Sequence, residues 1–122
     1  MKNLALSLLF SLTLAFTYAQ RPDADHEAVK GGELTIQPIT HATLVLSYQG
    51  KNIYVDPTGG ADAFKGLAAP DMIIITDIHG DHLSPQTIDA VNTAHAVMVV
   101  PQTDTSCASV HQFLHRRHLP VL

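Results

Sequence analysis

The sequence feature that most constrains the fold is an apolar run that leads directly into a cluster of polar side chains. Residues 72–75 are all apolar, a pattern typical of a strand buried on both faces. Ser84 and Pro85 follow a few residues later, and they are typical of a helix N-cap and a first helical residue. Between strand and helix lie four residues of metal-ligand type: Asp77, His79, Asp81 and His82. The pattern therefore predicts a strand, a ligand-bearing loop and a helix in succession.

The spacing of these four residues favours one shared site. Alternation in extended backbone turns Asp77, His79 and Asp81 to the same side, and Gly80 allows the bend that brings His82 to them. Mixed nitrogen and oxygen ligands suit zinc, with manganese or iron as alternatives. The sequence thus predicts a site for one or two divalent ions, the alternative being an ordinary polar loop after a core strand.

Residues 77–83, Asp-Ile-His-Gly-Asp-His-Leu, resemble the His-x-His-x-Asp-His motif of the metallo-β-lactamase superfamily. The preceding residues 70–76 resemble the strand before that motif. Residues 40–46 and 53–57 are similar to paired strands of the branch that includes ascorbate-phosphate lactonases. The resemblance covers about residues 33–101. It implies an α/β fold, the N-terminal half of a four-layer αβ/βα sandwich, with a dinuclear metal site at its edge and hydrolysis by a metal-bound hydroxide.

The same resemblance assigns the ligands in pairs. Asp77 and His79 would hold a first ion, and Asp81 and His82 a second, with Asp81 also a conceivable proton acceptor. Asp77 replaces the first histidine of the motif, so we expect a weaker Lewis acid at the first ion. Family members carry further ligands in a second half that is not identified here. Because a catalytic zinc needs about three protein ligands, a partner chain, a second copy or histidines near the end would complete each site.

Two more residues are candidates for the site. His41 opens a strongly β-prone segment, and it is either a structural histidine or an active-site neighbour. Asp56 ends the predicted strand 53–55, and the resemblance places it near the metals, where it would support a ligand or the substrate. Residues 49–52 between these two strands predict a hairpin turn.

The remaining pattern supports the α/β class. A first strand is predicted from Glu33, with Pro38 at its edge or end. A helix is predicted from Ser84 to about Thr93, and another buried strand over residues 96–100. Strand, helix and strand thus alternate. Residues 33–102 form the predicted domain.

Both ends of the chain differ from this domain. Residues 1–19 have the polar start, apolar centre and small-residue end of a cleaved signal peptide, which predicts a periplasmic or extracellular protein. Residues 20–32 are predicted to be a flexible leader, without a metal role for His26. Residues 103–122 form an atypical tail, which we interpret as solvated. It contains four residues to which the sequence assigns no role: Cys107, His111, His115 and His118.

The net charge and an exposed apolar face indicate which classes of partner to expect. Cleavage of the signal peptide leaves 11 acidic and six basic residues, which argues against nucleic acid or an anionic membrane surface. An isolated half-sandwich would expose an apolar sheet face, so we expect self-association.

Three functions remain open on the sequence alone. The first is a truncated metal-dependent hydrolase acting on an unknown small molecule. The second is a non-catalytic metal-binding or structural remnant, and the third is an extracellular interaction module. The resemblance favours the first.

Overall fold

The computed structural model describes residues 21–91 and 96–101. The predicted signal peptide and the predicted tail over 103–122 lie outside these residues. The described part contains six strands: β1 Asp25–Val29, β2 Gly32–Thr40, β3 Thr43–Tyr48, β4 Lys51–Val55, β5 Met72–Ile74 and β6 Val97–Val99. It also contains a 3-10 helix, Ala61–Phe64, and one α-helix, α1, Pro85–Ala90.

All six strands form one mixed sheet in the order β1-β2-β3-β4-β5-β6. Strands β1 to β4 make an antiparallel meander, whereas β4, β5 and β6 run parallel. The parallel pairs need crossovers, which the 3-10 helix segment and α1 provide. A mixed sheet with connections of this kind agrees with the α/β prediction, but the described residues form one sheet and not a four-layer sandwich.

The turn between β3 and β4 is a two-residue hairpin. Tyr48 pairs with Lys51, and Gln49 and Gly50 both have positive φ, 47° and 74°. Positive φ at both central residues matches the twist of the flanking strands. The predicted hairpin is therefore confirmed, with the turn confined to Gln49 and Gly50.

The prediction of a flexible leader is wrong for Asp25–Val29, which is strand β1. It pairs with β2 through the turn at Lys30 and Gly31, and all five of its residues are exposed. Because both faces of β1 meet water, its side chains lack the apolar alternation by which a half-buried strand is recognised. His26 pairs with Glu33 at 2.8 Å, so this histidine has a partner on the neighbouring strand.

The core lies on one face of the sheet, between the strands and α1. Ile73 and Ile88 are fully buried, and Tyr54 is 1% exposed. Strand β5 is buried on this face only, since Met72 and Ile74 are half-buried on the other. The expectation that this strand is buried on both faces is therefore wrong: Ile73 and Ile75 are buried in the core, but no described segment covers the second face.

Helix α1 begins where the sequence predicts. The Ser84 hydroxyl accepts a hydrogen bond from the Thr87 backbone N–H at 3.3 Å, and Pro85 occupies the first turn. The helix ends at Ala90, three residues before the predicted end.

The segment between β4 and β5 is packed through two aromatic rings. Phe64 is 5% exposed and stacks on Tyr54 with ring centroids 5.0 Å apart. The Tyr54 hydroxyl donates to the Ala68 carbonyl at 2.7 Å. These contacts hold the 3-10 helix against the sheet.

Candidate metal centre

The centre forms where the parallel strands β4 and β5 end side by side. Val55 pairs with Ile74, so the residues that follow, Asp56 and the loop from Thr76, meet at one sheet edge. The carboxylate of Asp56 accepts from the Thr76 backbone N–H at 2.7 Å and from its hydroxyl at 2.5 Å. Asp56 is 1% exposed, so this carboxylate is a fixed, buried acceptor beneath the loop.

Asp56 also fixes the imidazole of His82. The Nδ1 atom of His82 lies 2.9 Å from Asp56 Oδ2, and the side chain is 24% exposed. A carboxylate can only accept, so Nδ1 carries the proton in this pair and Nε2 of the neutral ring keeps a free lone pair. This carboxylate–histidine arrangement is the one that orients imidazoles toward metals in proteins.

Asp81 and His41 complete a group of three potential metal donors. His41 Nε2 lies 3.1 Å from Asp81 Oδ2, and His82 Nε2 lies 3.7 Å from the same oxygen. The two imidazoles meet edge to face, with ring centroids 5.9 Å apart. One donor atom from each of the three residues lies within 4.8 Å of the others.

His41 and Asp56 both reach the centre from left-handed backbone. Their φ angles are 50° and 44°, a region that non-glycine residues rarely adopt. His41 follows the β-bulge between Pro38 and Thr40, in the tight connection from β2 to β3. Backbone of this kind recurs at functional sites, where the surrounding fold holds it in place.

Asp77 and His79 bond to each other. The Asp77 carboxylate accepts from the His79 backbone N–H at 2.9 Å and makes a short contact with His79 Nδ1. Neither belongs to the three-donor group found among the described residues. Their predicted role as ligands of a first ion stays a prediction. The side chain of His79 is 78% exposed.

The charges of the loop follow from these hydrogen bonds. The His79 backbone N–H lowers the pKa of Asp77, and the backbone N–H of Asp81 itself lowers the pKa of the Asp81 carboxyl. The hydrogen bond to Asp56 raises the pKa of His82. Two ionised carboxylates therefore face the loop at neutral pH, which favours a cation there.

The donor set fits a divalent metal ion. Two imidazoles and one carboxylate are a ligand combination found in catalytic zinc sites, and three protein ligands leave a position open. His41, Asp81 and His82 supply that combination, with Asp56 as the outer-shell partner of His82. The centre is also open to solvent, because His41 and Asp81 are more than half exposed.

Replacing Asp56 with Asn tests the orienting role of this carboxylate. The amide group would place a donor where Asp56 Oδ2 now accepts, so the His82 proton is expected to move to Nε2 and block that atom. We expect zinc affinity to fall about 10- to 100-fold, the usual cost of losing an outer-shell partner. Competition with a chromophoric chelator measures the affinity. Asp62→Asn, which changes an exposed carboxylate paired with Lys65, is the control and should leave the affinity unchanged.

The raised pKa of His82 predicts a pH dependence of stability in the metal-free protein. Because the folded-state pKa lies above the ordinary value of 6.5, protonated His82 stabilises the fold fully below about pH 6.5. This contribution is lost as the pH rises through the folded-state pKa. We therefore expect the difference in unfolding free energy between the original chain and His82→Gln to shrink as the pH rises above about 6.5 and through the raised folded-state pKa. Urea unfolding at several pH values measures it, and a difference that grows with pH would contradict the assignment.

The sequence-predicted residues divide into three groups in the structure. Asp81 and His82 lie together, Asp56 lies against His82, and the predicted role of Asp81 and His82 as ligands of one ion stays a prediction. Asp77 and His79 form a separate pair. His41, for which the sequence left two roles open, lies at the centre beside Asp81.

Sequence reasoning missed Thr76, which donates twice to Asp56, and did not identify His41 as a potential metal donor. For His41 the one available signal was its position immediately before a β-prone segment.

Comparison with known proteins places the chain in a family. No curated protein matches the chain. Among solved structures, the chain is similar to a protein of Parabacteroides distasonis that is provisionally named a metal-dependent hydrolase, with 30% identity and a TM-score of 0.62. The match covers 82% of this chain and 42% of that one, so the chain spans less than half the length of its structural relative. The model of the beta-lactamase superfamily domain matches residues 35–118, which include the loop, His41 and Asp56. The chain therefore belongs to the beta-lactamase superfamily.

Proposed function

We propose that this chain carries a metal-dependent hydrolase site, with the divalent ion held by His41, Asp81 and His82. The observation that carries the proposal is the three-donor group, in which each donor atom lies within 4.8 Å of the others. The hydrolase name of the structural relative and the family membership support it. Zinc is the ion we expect, with manganese or iron as alternatives, since the donors are two nitrogens and an oxygen.

A divalent ion bound there would act as a Lewis acid and lower the pKa of a water molecule. The chain's own residues would orient the donor atoms and accept the proton. Asp56 holds the His82 proton at Nδ1, so that Nε2 is available. Asp81 Oδ2 faces the two imidazoles, which leaves Asp81 Oδ1 as an acceptor for a proton from the attacking water. The substrates to test are esters, lactones, amides and phosphodiesters.

Asp77 and His79 extend this proposal to a second ion. Breaking their mutual hydrogen bond would free a carboxylate and an imidazole on the same loop. Two ions per chain would then share the site, as the motif of residues 77–83 suggests. We also propose that the sheet is one of two in a four-layer αβ/βα sandwich, which the bare second face supports.

Turnover in the presence and absence of metal tests the proposed activity. We expect hydrolysis of at least one of the four substrate classes by the metal-loaded chain, its loss on chelation, and its return on adding zinc. Asp81→Ala should abolish turnover, while Asp62→Ala, an exposed carboxylate on the 3-10 helix, should leave it intact. Hydrolysis that survives chelation would count against a metal mechanism.

A non-catalytic metal-binding or structural remnant is the second candidate function. The observation in its favour is that Asp77 and His79, the other ligand-type residues of the loop, contact each other and do not join the donor group among the described residues. Tight zinc binding without turnover on any of the four substrate classes would select it. An extracellular interaction module would instead require a defined complex without bound metal.

Export is proposed on the sequence of residues 1–19 alone. The first residue of the protein recovered from cells distinguishes a cleaved signal peptide, which would leave Gln20 first, from a retained segment. Within the described residues, no helix is long and apolar enough to cross a membrane.

A further inference from the structure

The hydroxyl group of Thr43, the first residue of β3, is buried and uses all of its hydrogen-bonding capacity. Thr43 is 2% exposed, and its Oγ1 atom donates to the backbone carbonyl of Asp56 at 2.5 Å. The same atom accepts from the Thr58 backbone N–H at 3.3 Å and lies 2.8 Å from the Thr58 hydroxyl. Because the Thr43 proton goes to Asp56, the Thr58 hydroxyl is the donor in the last pair. One donor and two lone pairs are thus all engaged with the segment that follows β4.

The bond from Thr43 fixes the peptide of the residue that orients His82. Asp56 has left-handed backbone, with φ 44°, and its N–H donates to the Ile74 carbonyl at 2.9 Å. Thr43 holds the carbonyl on the other side of the same residue. The place of the Asp56 carboxylate, and with it that of His82 Nδ1, therefore depends on these two backbone bonds as well as on the two bonds from Thr76.

Thr43 also closes the turn that carries His41. It pairs with Thr40 across the connection from β2 to β3, and His41 lies between them in left-handed backbone. A second contact joins the same turn to the segment after β4. A Cβ atom at Gly59 would lie 3.4 Å from the Thr40 methyl group, so Gly59 lies directly against this turn. The His41 turn and the segment from Asp56 to Gly59 are therefore joined at two points.

The other end of this segment is tied to the helix that follows the loop with the other two proposed donors. The Gly60 backbone N–H donates to Thr87 Oγ1 at 3.0 Å, and that atom lies 2.9 Å from Ser84 Oγ. Thr87 is 2% exposed in α1, and Ser84 caps the same helix directly after the loop. Residues 56–60 thus bridge the two parts of the chain that supply the three proposed donors.

We propose that Thr43 is a positioning residue of the metal centre. Its hydroxyl holds the Asp56–His82 pair at a fixed place relative to the His41 turn, so that donors from both sides can reach one ion. Thr43 is not itself a donor, and its role rests on the proposed function because it concerns the same centre. Loss of an outer-shell partner usually lowers metal affinity about 10- to 100-fold, and we expect a loss of this size without the Thr43 hydroxyl.

Thr43→Val and Thr43→Ser test this role, with zinc affinity measured by chelator competition on the full chain. Valine keeps the branched shape and removes the hydroxyl, whereas serine keeps the hydroxyl. We expect Thr43→Val to bind zinc about 10- to 100-fold more weakly, and Thr43→Ser to stay within about threefold of the original chain. Thr35→Val makes the same change on β2, where the hydroxyl contacts His26 outside the centre, and should leave the affinity unchanged.

The unfolding free energy separates this role from a purely structural one. Thr43→Val leaves the Asp56 carbonyl and the Thr58 N–H without their partner, so we expect it to lower the unfolding free energy as well. The affinity is therefore measured on the folded fraction that urea unfolding gives. Lower stability with unchanged zinc affinity would overturn the proposal, and so would a loss of affinity that Thr43→Ser shares.

Thr58→Val is a milder variant for the case that Thr43→Val does not fold. It removes one partner of the Thr43 hydroxyl and keeps the bond from Thr43 to Asp56. We expect zinc affinity to fall about threefold, in keeping with the loss of one hydrogen bond. An affinity equal to that of the original chain would overturn the proposal.

A double-mutant cycle with Asp56→Asn tests the route through Asp56. Because Thr43 is proposed to act by placing the Asp56 carboxylate, we expect Thr43→Val to weaken zinc binding much less in the Asp56→Asn background than in the original chain. Equal losses in the two backgrounds would overturn the proposal. An original chain that binds no zinc would overturn the proposed function together with this role. Zinc binding that is the same in the original chain and in Thr43→Val would overturn this role alone.

Discussion

Replacing His41 with Asn is expected to lower zinc affinity by more than about 100-fold, beyond the usual cost of losing an outer-shell partner. The change removes one of three donors, while Asn tolerates the left-handed backbone at this position better than most residues. The fold should therefore survive, and the loss should report the missing imidazole. Chelator competition at constant pH measures the affinity.

His26→Asn is the matched control, because it removes another partly exposed imidazole that hydrogen-bonds a carboxylate. It lies on β1, outside the donor group, and should bind zinc as the original chain does. His79→Asn adds a second comparison. If it abolished binding while His41→Asn did not, the ion would belong to the Asp77–His79 pair, and the proposed centre would be wrong.

Replacing Ile73 with Ala is expected to cost about 2–5 kcal/mol of unfolding free energy. Ile73 is fully buried in the middle of β5, between β4 and β6 and beneath α1. Removing its outer carbons leaves a cavity that the flanking strands cannot close without giving up their pairing. A loss of this size is a large share of the stability of a small domain. Urea unfolding of the metal-free chain measures it.

Val29→Ala is the aliphatic control for Ile73→Ala. Val29 is 40% exposed on the edge strand β1, so its truncation should change the unfolding free energy by no more than about 0.5 kcal/mol. Equal losses for the two variants would mean that the strands do not share the core described above.

The strand, loop and helix around the centre could be predicted because their signals are local. The apolar run of β5, the four polar residues after it and the Ser84 cap all lie within sixteen residues. The cap bond to Thr87 and the hairpin at Gln49–Gly50 depend on residues no more than three positions apart in sequence. Local rules of capping and turn chemistry are therefore sufficient for these parts.

The meeting of His41 and Asp81 could not be predicted, because the two residues are 40 positions apart. Their contact depends on the register of β2 with β3, on the bulge after Pro38, and on the order of strands in the sheet. None of these leaves a periodic signal at His41 itself. Strand β1 was missed for a related reason, since it is held by pairing with β2 while both of its faces are polar and exposed.

The change from antiparallel to parallel pairing at β4 has a consequence for the order in which the chain folds. Strands β1 to β4 close through short turns, whereas β5 and β6 reach the sheet only after crossovers, and long-range pairing is slower than hairpin formation. Asp56 and His41 are therefore placed when β1 to β4 form. Asp81 and His82 reach the centre only when β5 and the loop after it join the sheet. In a stopped-flow experiment, zinc uptake should therefore follow the recovery of most of the strand signal. The ion would then bind and stabilise only chains in which β5 and β6 have already joined the sheet. Zinc binding would follow folding and would not initiate it.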